Sequence, residues 1–262
     1  MSFLNVENKN FFITGVSNRK SVAYHTAKVL EDNGANLYFS VQSEEHKSRV
    51  SKLFPERPIY ILDVENLEDI EGLDEFFKQR DVMLDGFLHS IAFANLMNPK
   101  PFHETSLKDF NQAMQISSFS LVQLSNALKD VLKPDASVVT ISISDTKATS
   151  YGYMGPVKAM LDTTTAYLAK SFSSFSRVRF NAVCSGPLKT SASAGIPGYI
   201  DNYIFAEQLT MRKEALKTTE VANTVSFLLS PSASGINATG VLVDCGMRSN
   251  HFDEKVVKSF SS

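Results

Sequence analysis

The sequence predicts an α/β fold: one doubly wound parallel sheet of about seven strands with helices on both faces, forming a single domain over residues 1–262. Three observations lead there. Short β-branched and aromatic runs recur along the chain, longer stretches with helical spacing separate them, and no repeat, low-complexity block or Pro/Gly/Ser-rich linker divides the 262 residues.

The strand candidates, in order, are Phe11 to Thr14, Asn36 to Val41, Pro58 to Leu62, Gly86 to Ile91, Ser137 to Ser142, Val178 to Cys184 and Val241 to Asp244. The first helix starts at a Ser21 cap, carries Ala23, Ala27 and Leu30 on one face, and stops at Gly34. The acidic stretch 64–79 keeps Leu67, Ile70, Leu73, Phe76 and Phe77 at helical spacing, so its charges read as a solvated face and not as metal ligands. Leu107 to Leu132 and Met154 to Phe175 each read as one long helix. Beyond Arg248 the tail is polar and reads as loose or used in assembly.

Composition excludes several classes of function. Lys and Arg total 26 against 28 Asp and Glu, which gives a net charge of -2 and no general attraction to nucleic acid. The absence of a basic-then-apolar leader and of any run of 18 apolar residues predicts neither a signal peptide nor a membrane span, and points to a cytoplasmic protein. Cys184 and Cys245 sit in apolar contexts without metal or redox spacing and read as buried, inert thiols. His25, His46, His89, His103 and His251 show no paired-ligand spacing, so no metal site is expected and structural or surface roles are preferred. A G-x-S-x-G elbow and a P-loop are both missing.

In an open parallel sheet, ligands bind beyond the carboxyl ends of the strands, and the first turn carries glycines so that backbone amides can approach a pyrophosphate. Here that turn, Ile13 to Ala23, holds a single glycine, and only 12 occur in the whole chain. Taken alone, the turn favours a plain loop. Likewise, Asp63 alone reads as a turn or cap residue, and Ser90 as a partner for a strand-end carbonyl.

The longer pattern changes this reading. Gly15 followed by Ser21-Val22-Ala23 resembles the single-glycine turn of bacterial enoyl-[acyl-carrier-protein] reductases, a Rossmann-like branch of the short-chain dehydrogenase/reductase superfamily. The resemblance continues through Asp63-Val64, His89 to Asn95, Ile116 to Ser120, Tyr151 to Lys158, Asn181 to Thr190 and Gly240 to Asp244, in order and over nearly the whole chain. It implies that Gly15, Ser21 and Val22 approach the pyrophosphate and adenosine side, and that Asp63 and Val64 hold the adenine. Ser90, Ile91 and Ala92 would line the middle of the cofactor, Leu188 and Thr190 would flank the nicotinamide, and Lys158 would hold its ribose. Gln42 matches the uncharged residue of NADH-using members. No Arg or Lys lies in Ser40 to Glu45 to meet a 2'-phosphate, although Lys47 and Arg49 follow a turn later, so NADH is expected over NADPH.

Members that reduce carbonyls place a tyrosine four residues before the lysine, where this chain has Met154. Tyr151, seven residues before Lys158, stays in helical phase at about 10 Å of axial distance, whereas Tyr153 would point about 140° away and ranks second. The wider spacing suits conjugate reduction, in which hydride enters C3 of an enoyl thioester and the polarised oxygen lies two carbons away at C1. Tyr151 and Lys158 are therefore the expected catalytic pair. Residues 191–209 correspond to a mobile lid, with Ile196, Tyr199, Ile200, Tyr203 and Phe205 as its apolar surface. Ala94 and Tyr151 complete the expected substrate contacts.

The expected activity is NADH-dependent reduction of the C2–C3 double bond of trans-2-enoyl thioesters on acyl carrier protein, the last step of fatty acid elongation, by a homotetramer. Two alternatives stay open: a short-chain dehydrogenase/reductase acting on another substrate, and a catalytically silent NAD-binding paralogue. The second draws on Ile143, which stands near the place of a second tyrosine that members usually carry.

Overall fold

Side chains alternate along the first strand, and that alternation separates two hydrophobic layers: Phe11 and Ile13 face one layer and Phe12 the other. The computed structural model describes residues 3–95, 100–190, Ser193 and 198–260. Among these, the strands are β1 (Asn10–Ile13), β2 (Asn36–Val41), β3 (Ile59–Ile61), β4 (Leu84–His89), β5 (Leu132–Ile143), β6 (Arg179–Ser185) and β7 (Thr239–Val243). They form one parallel seven-stranded sheet in the order β3-β2-β1-β4-β5-β6-β7. The order reverses between β1 and β4, which opens a crevice at their carboxyl ends.

On the first face, α1 (Val22–Asp32), α2 (Glu44–Leu53) and α9 (Thr218–Leu229) cover Phe11, Leu37, Phe39, Leu88, Val139 and Val183. The opposite face carries α3 (Leu67–Glu71), α4 (Leu73–Lys78), α6 (Ser120–Leu128) and α7 (Met154–Phe172), packed on Phe12, Phe87, Val138 and Phe180. Helices α5 (Leu107–Met114), α8 (Tyr199–Leu209) and α10 (Glu254–Lys258) complete the chain. Ser21 caps α1 as expected, its hydroxyl accepting from the amide of Tyr24 at 3.2 Å.

Several expectations are corrected. The helix expected over 107–132 is two helices joined by a π-turn at Gln115–Phe119, and it ends at Leu128 because Leu132 already belongs to β5. Serines open this turn. The Ser120 hydroxyl donates back to the carbonyl of Ile116 at 2.6 Å, and the Ser117 hydroxyl leaves the helix to bond Phe93. The acidic helix breaks at Gly72 into α3, capped by Asn66, and α4, and Leu67 is exposed instead of facing the core. β4 ends at His89, two residues earlier than expected, because Ser90 bonds Thr14 instead of extending the ladder. α7 stops at Phe172, and Ser173 to Phe175 form a closing turn. Helices α2 and α9 were not anticipated; Val221, Ala222, Val225, Leu228 and Leu229 give α9 a buried face.

The tail is tied down. Asn250 donates to the carbonyl of Leu209 at 2.8 Å, and Lys213 pairs with Asp253, which caps α10. Cys184 is buried but Cys245 is only half-buried, because a left-handed backbone (φ 56°) carries it around a turn. No helix among the described residues is long and apolar enough to cross a membrane.

Candidate active site

The loops that follow β1, β4, β5 and β6 all emerge at one edge of the parallel sheet, so this edge gathers the residues singled out in the sequence. At the reversal point, Thr14 ties two loops together: its hydroxyl donates to the carbonyl of Leu88 at 2.9 Å and accepts from the amide of Ser90 at 3.0 Å. Gly15 follows in a left-handed conformation (φ +81°), where a Cβ would stand 1.8 Å from the carbonyl oxygen of Ser90. Only glycine allows β1 to turn into α1 this close to the β4 loop. Ser21 and Val22 then open α1 at this end of the sheet; the Ser21 hydroxyl takes the Tyr24 amide, which leaves the amides of Val22 and Ala23 without a partner from the helical ladder.

Farther along this edge, Gln42 is exposed after β2, and Val64 is buried after β3. The Asp63 carboxylate accepts from the amide of Glu65 at 3.0 Å, so it does serve a local turn. Behind β4, Ser90 and Ile91 are half-buried and Ala92 is exposed. Ser117, which the sequence reading missed, holds this loop by accepting from the amide of Phe93 at 2.8 Å and donating to its carbonyl at 2.9 Å. Its signal was three serines within the four positions 117–120 of a helical pattern.

Tyr151 arrives by a route that helical phase does not describe. It ends a 3-10 turn at Thr149–Tyr151, Gly152 reverses the chain with φ +58°, and α7 begins only at Met154. Tyr151 is half-buried against the cluster of Ala113, Met154 and Val157, and this burial, with Tyr199 adding to it, pushes its phenol up to about 12. The side chain is therefore a protonated donor at neutral pH. Tyr153 precedes the helix, and its hydroxyl donates to the carbonyl of Asn95 at 3.0 Å, a structural bond. Met154 is buried.

Lys158 projects from the first turns of α7, 5% exposed, and donates to the carbonyl of Ile141 on β5 at 2.8 Å. Burial lowers its ammonium to about 8, and Asp162 and Cys184 oppose that shift. His89 lies fully buried beneath the site, its Nδ1 2.9 Å from the Thr140 hydroxyl and its Nε2 2.8 Å from the Ser120 hydroxyl; desolvation drops it to about 3, which keeps it neutral. It is structural, as expected.

After β6, Leu188 is buried and Thr190 is half-buried. Tyr199, at the start of α8, reaches back to Leu188 with its hydroxyl, and Ser193 donates to the same Leu188 carbonyl at 2.7 Å. Tyr203 is buried under the Lys189 ammonium, which stands 4.6 Å from the ring centre. Ile200 and Phe205 are more than half exposed, so α8 divides its apolar residues between the body and the outside. Ile196 lies outside the described residues.

By its sheet order and by the position of this cleft, the chain is a Rossmann-like α/β protein. A family model described as Enoyl-(Acyl carrier protein) reductase matches residues 15–248. The chain belongs to that family. The NADH enoyl-[acyl-carrier-protein] reductase of Nostoc sp. is 35% identical over 252 residues, 93% of this chain and 97% of the relative. The NADPH enoyl-[acyl-carrier-protein] reductase of Staphylococcus aureus is 34% identical over 253 residues, 93% of this chain and 98% of the relative. A solved structure of the NADH enzyme from Aquifex aeolicus superposes with a TM-score of 0.88 at 31% identity, covering 93% of this chain and 97% of that one.

Proposed function

We propose that the chain reduces the C2–C3 double bond of trans-2-enoyl thioesters delivered on acyl carrier protein, the last step of fatty acid elongation, with NADH as electron donor. One observation carries this reading: the site's protonated phenol belongs to Tyr151, while the position a carbonyl reductase would use is occupied by Met154, a buried thioether with no proton to give.

The fit to a dinucleotide rests on the cradle at β1 and β4, where the place of a Gly15 Cβ is filled by Ser90 and α1 begins a few residues later. Gly15, Ser21 and Val22 would meet the pyrophosphate, Gln42, Asp63 and Val64 the adenosine, Ser90, Ile91 and Ala92 the middle, and Leu188 and Thr190 the nicotinamide. A bound reduced nicotinamide supplies a hydride to C3. Lys158 holds the ribose and adds positive potential. Tyr151 donates a hydrogen bond to the thioester oxygen as enolate character develops, and C2 then takes a proton from solvent. Ala94, Tyr199, Ile200 and Tyr203 are assigned to the acyl chain, and α8 to a lid over it.

The named relatives divide between NADH and NADPH. Support for NADH comes from the end of β2. Lys47 lies 3.3 Å from Glu44, and Arg49 is paired with Glu45, so both cations already have carboxylate partners one turn below Gln42. Leu107, Phe119 and Tyr167 are large exposed side chains on and around α5, α6 and α7, which favours a homotetramer packed through these helices. A cytoplasmic location belongs to the same reading.

The reading is tested by following NADH and NADPH oxidation with a trans-2-enoyl thioester and with simple ketones. Oxidation of NADH with the enoyl substrate is expected. Oxidation with ketones alone would favour another reductase chemistry.

A further inference from the structure

The chemistry above leaves one acid without a role. Asp162 lies one turn beyond Lys158 on α7, so the two side chains leave the same face of the helix toward the sheet. There the Asp162 Oδ1 and the Ser142 Oγ are both buried, neither has a hydrogen bond of full geometry, and Ser142 lies close enough to favour the Asp162 carboxylate. Ser142 follows Ile141, whose carbonyl takes one N–H of the Lys158 ammonium, and the β5–β6 register sets Ser142 beside Cys184. A buried ammonium, a hydroxyl and a carboxylate with unused bonding capacity are thus gathered under the candidate active site.

A buried ammonium needs a counter-charge. The other groups that face it do not provide one. His89 from β4 is neutral, with its pKa near 3, and the Cys184 thiol from β6, raised to about 12, stays protonated. Arg248, which acts on Cys184, is a cation. Among the described residues, Asp162 is the carboxylate whose charge acts on Lys158. Burial raises the Asp162 carboxyl from its usual range, opposed by Ser142 and by Lys158 itself.

We propose that Asp162 is a positioning residue that, together with Ser142, keeps Lys158 in its ammonium form and directed along β5 toward the cofactor ribose. The proposal deepens the functional reading and rests on its assignment of Lys158. It is tested by titrating 13Cε-labelled lysines by NMR in the wild type, Asp162→Asn and Asp162→Glu, with Lys158→Met to identify the signal, alongside NADH binding measured across the same pH range.

Asp162→Asn is expected to lower the Lys158 midpoint by about one unit, the size that a nearby opposite charge confers, and to move the alkaline loss of NADH binding by the same interval. Asp162→Glu restores both. Asp162→Ser repeats the charge removal in a smaller side chain should the Asn variant fold poorly. An unshifted Lys158 midpoint in a folded, charge-free variant overturns the proposal. Because the lysine titration needs no cofactor, failure of wild-type protein to bind NADH would instead count against the functional reading.

Discussion

The Tyr199 hydroxyl accepts from the backbone amide of Leu188 at 2.8 Å and donates to the carbonyl of the same residue at 2.9 Å. One phenol from the start of α8 thereby satisfies both polar groups of a residue assigned to flank the nicotinamide. Tyr199 also adds to the raised pKa of Tyr151, after burial. Tyr199→Phe removes both bonds, each worth about 1 kcal/mol net. Amide exchange over 199–209 is expected to rise about tenfold or more in the variant without cofactor. Exchange that matches the wild type would show that this hydroxyl does not latch α8.

Tyr151→Phe keeps the ring and its packing against the cluster of Ala113, Met154 and Val157 but removes the donor. Turnover with an enoyl thioester should fall about 100-fold or more, the usual scale for a lost transition-state donor. NADH affinity should stay within about twofold of the wild type. Equal turnover in the two proteins would remove Tyr151 from the chemistry.

Lys158, lowered to about 8 by burial, is charged below that pH and neutral above it. Its attraction for an anionic dinucleotide is present at pH 7 and lost as pH rises through about 8. NADH binding measured from pH 6 to 10 should therefore weaken on the alkaline side with a midpoint near 8. Lys158→Met should bind weakly and without this limb.

His89 is buried and neutral, with a pKa near 3 against about 6.5 when unfolded. The unfolded chain thus binds more protons between those values, and stability is present above 6.5 and lost as pH falls toward 3. The slope contributed is about 1.4 kcal/mol per pH unit within that window. Denaturant melts should show it in the wild type, and the pH dependence should be shallower by that amount in His89→Gln.

Much of the sheet was legible because β1 and β6 are buried on both faces and read as compact, mostly apolar runs, such as Phe11 to Ile13 and Phe180 to Cys184. The π-turn was not, since Ser117 and Ser120 fit a helical pattern and reveal their bonds to Phe93 and Ile116 only in three dimensions. Tyr151 was singled out by a phase argument that Gly152 makes inapplicable: the tyrosine sits on a separate turn, positioned by a left-handed glycine and not by two turns of helix. Asp162 was invisible, because an acid on a long helix reads as solvated until the fold shows which face is covered. The Tyr199 bond to Leu188 joins residues 11 positions apart, which no local pattern encodes.

The claim that this site performs conjugate reduction is tested most directly by the destination of the hydride. Crotonyl thioester reduced with NADH deuterated at C4 of the nicotinamide, in ordinary water, should give a butyryl thioester with deuterium at C3 and protium from solvent at C2. Deuterium on C1 of an alcohol or aldehyde product, or no reduced thioester from a protein that binds NADH, would contradict the account.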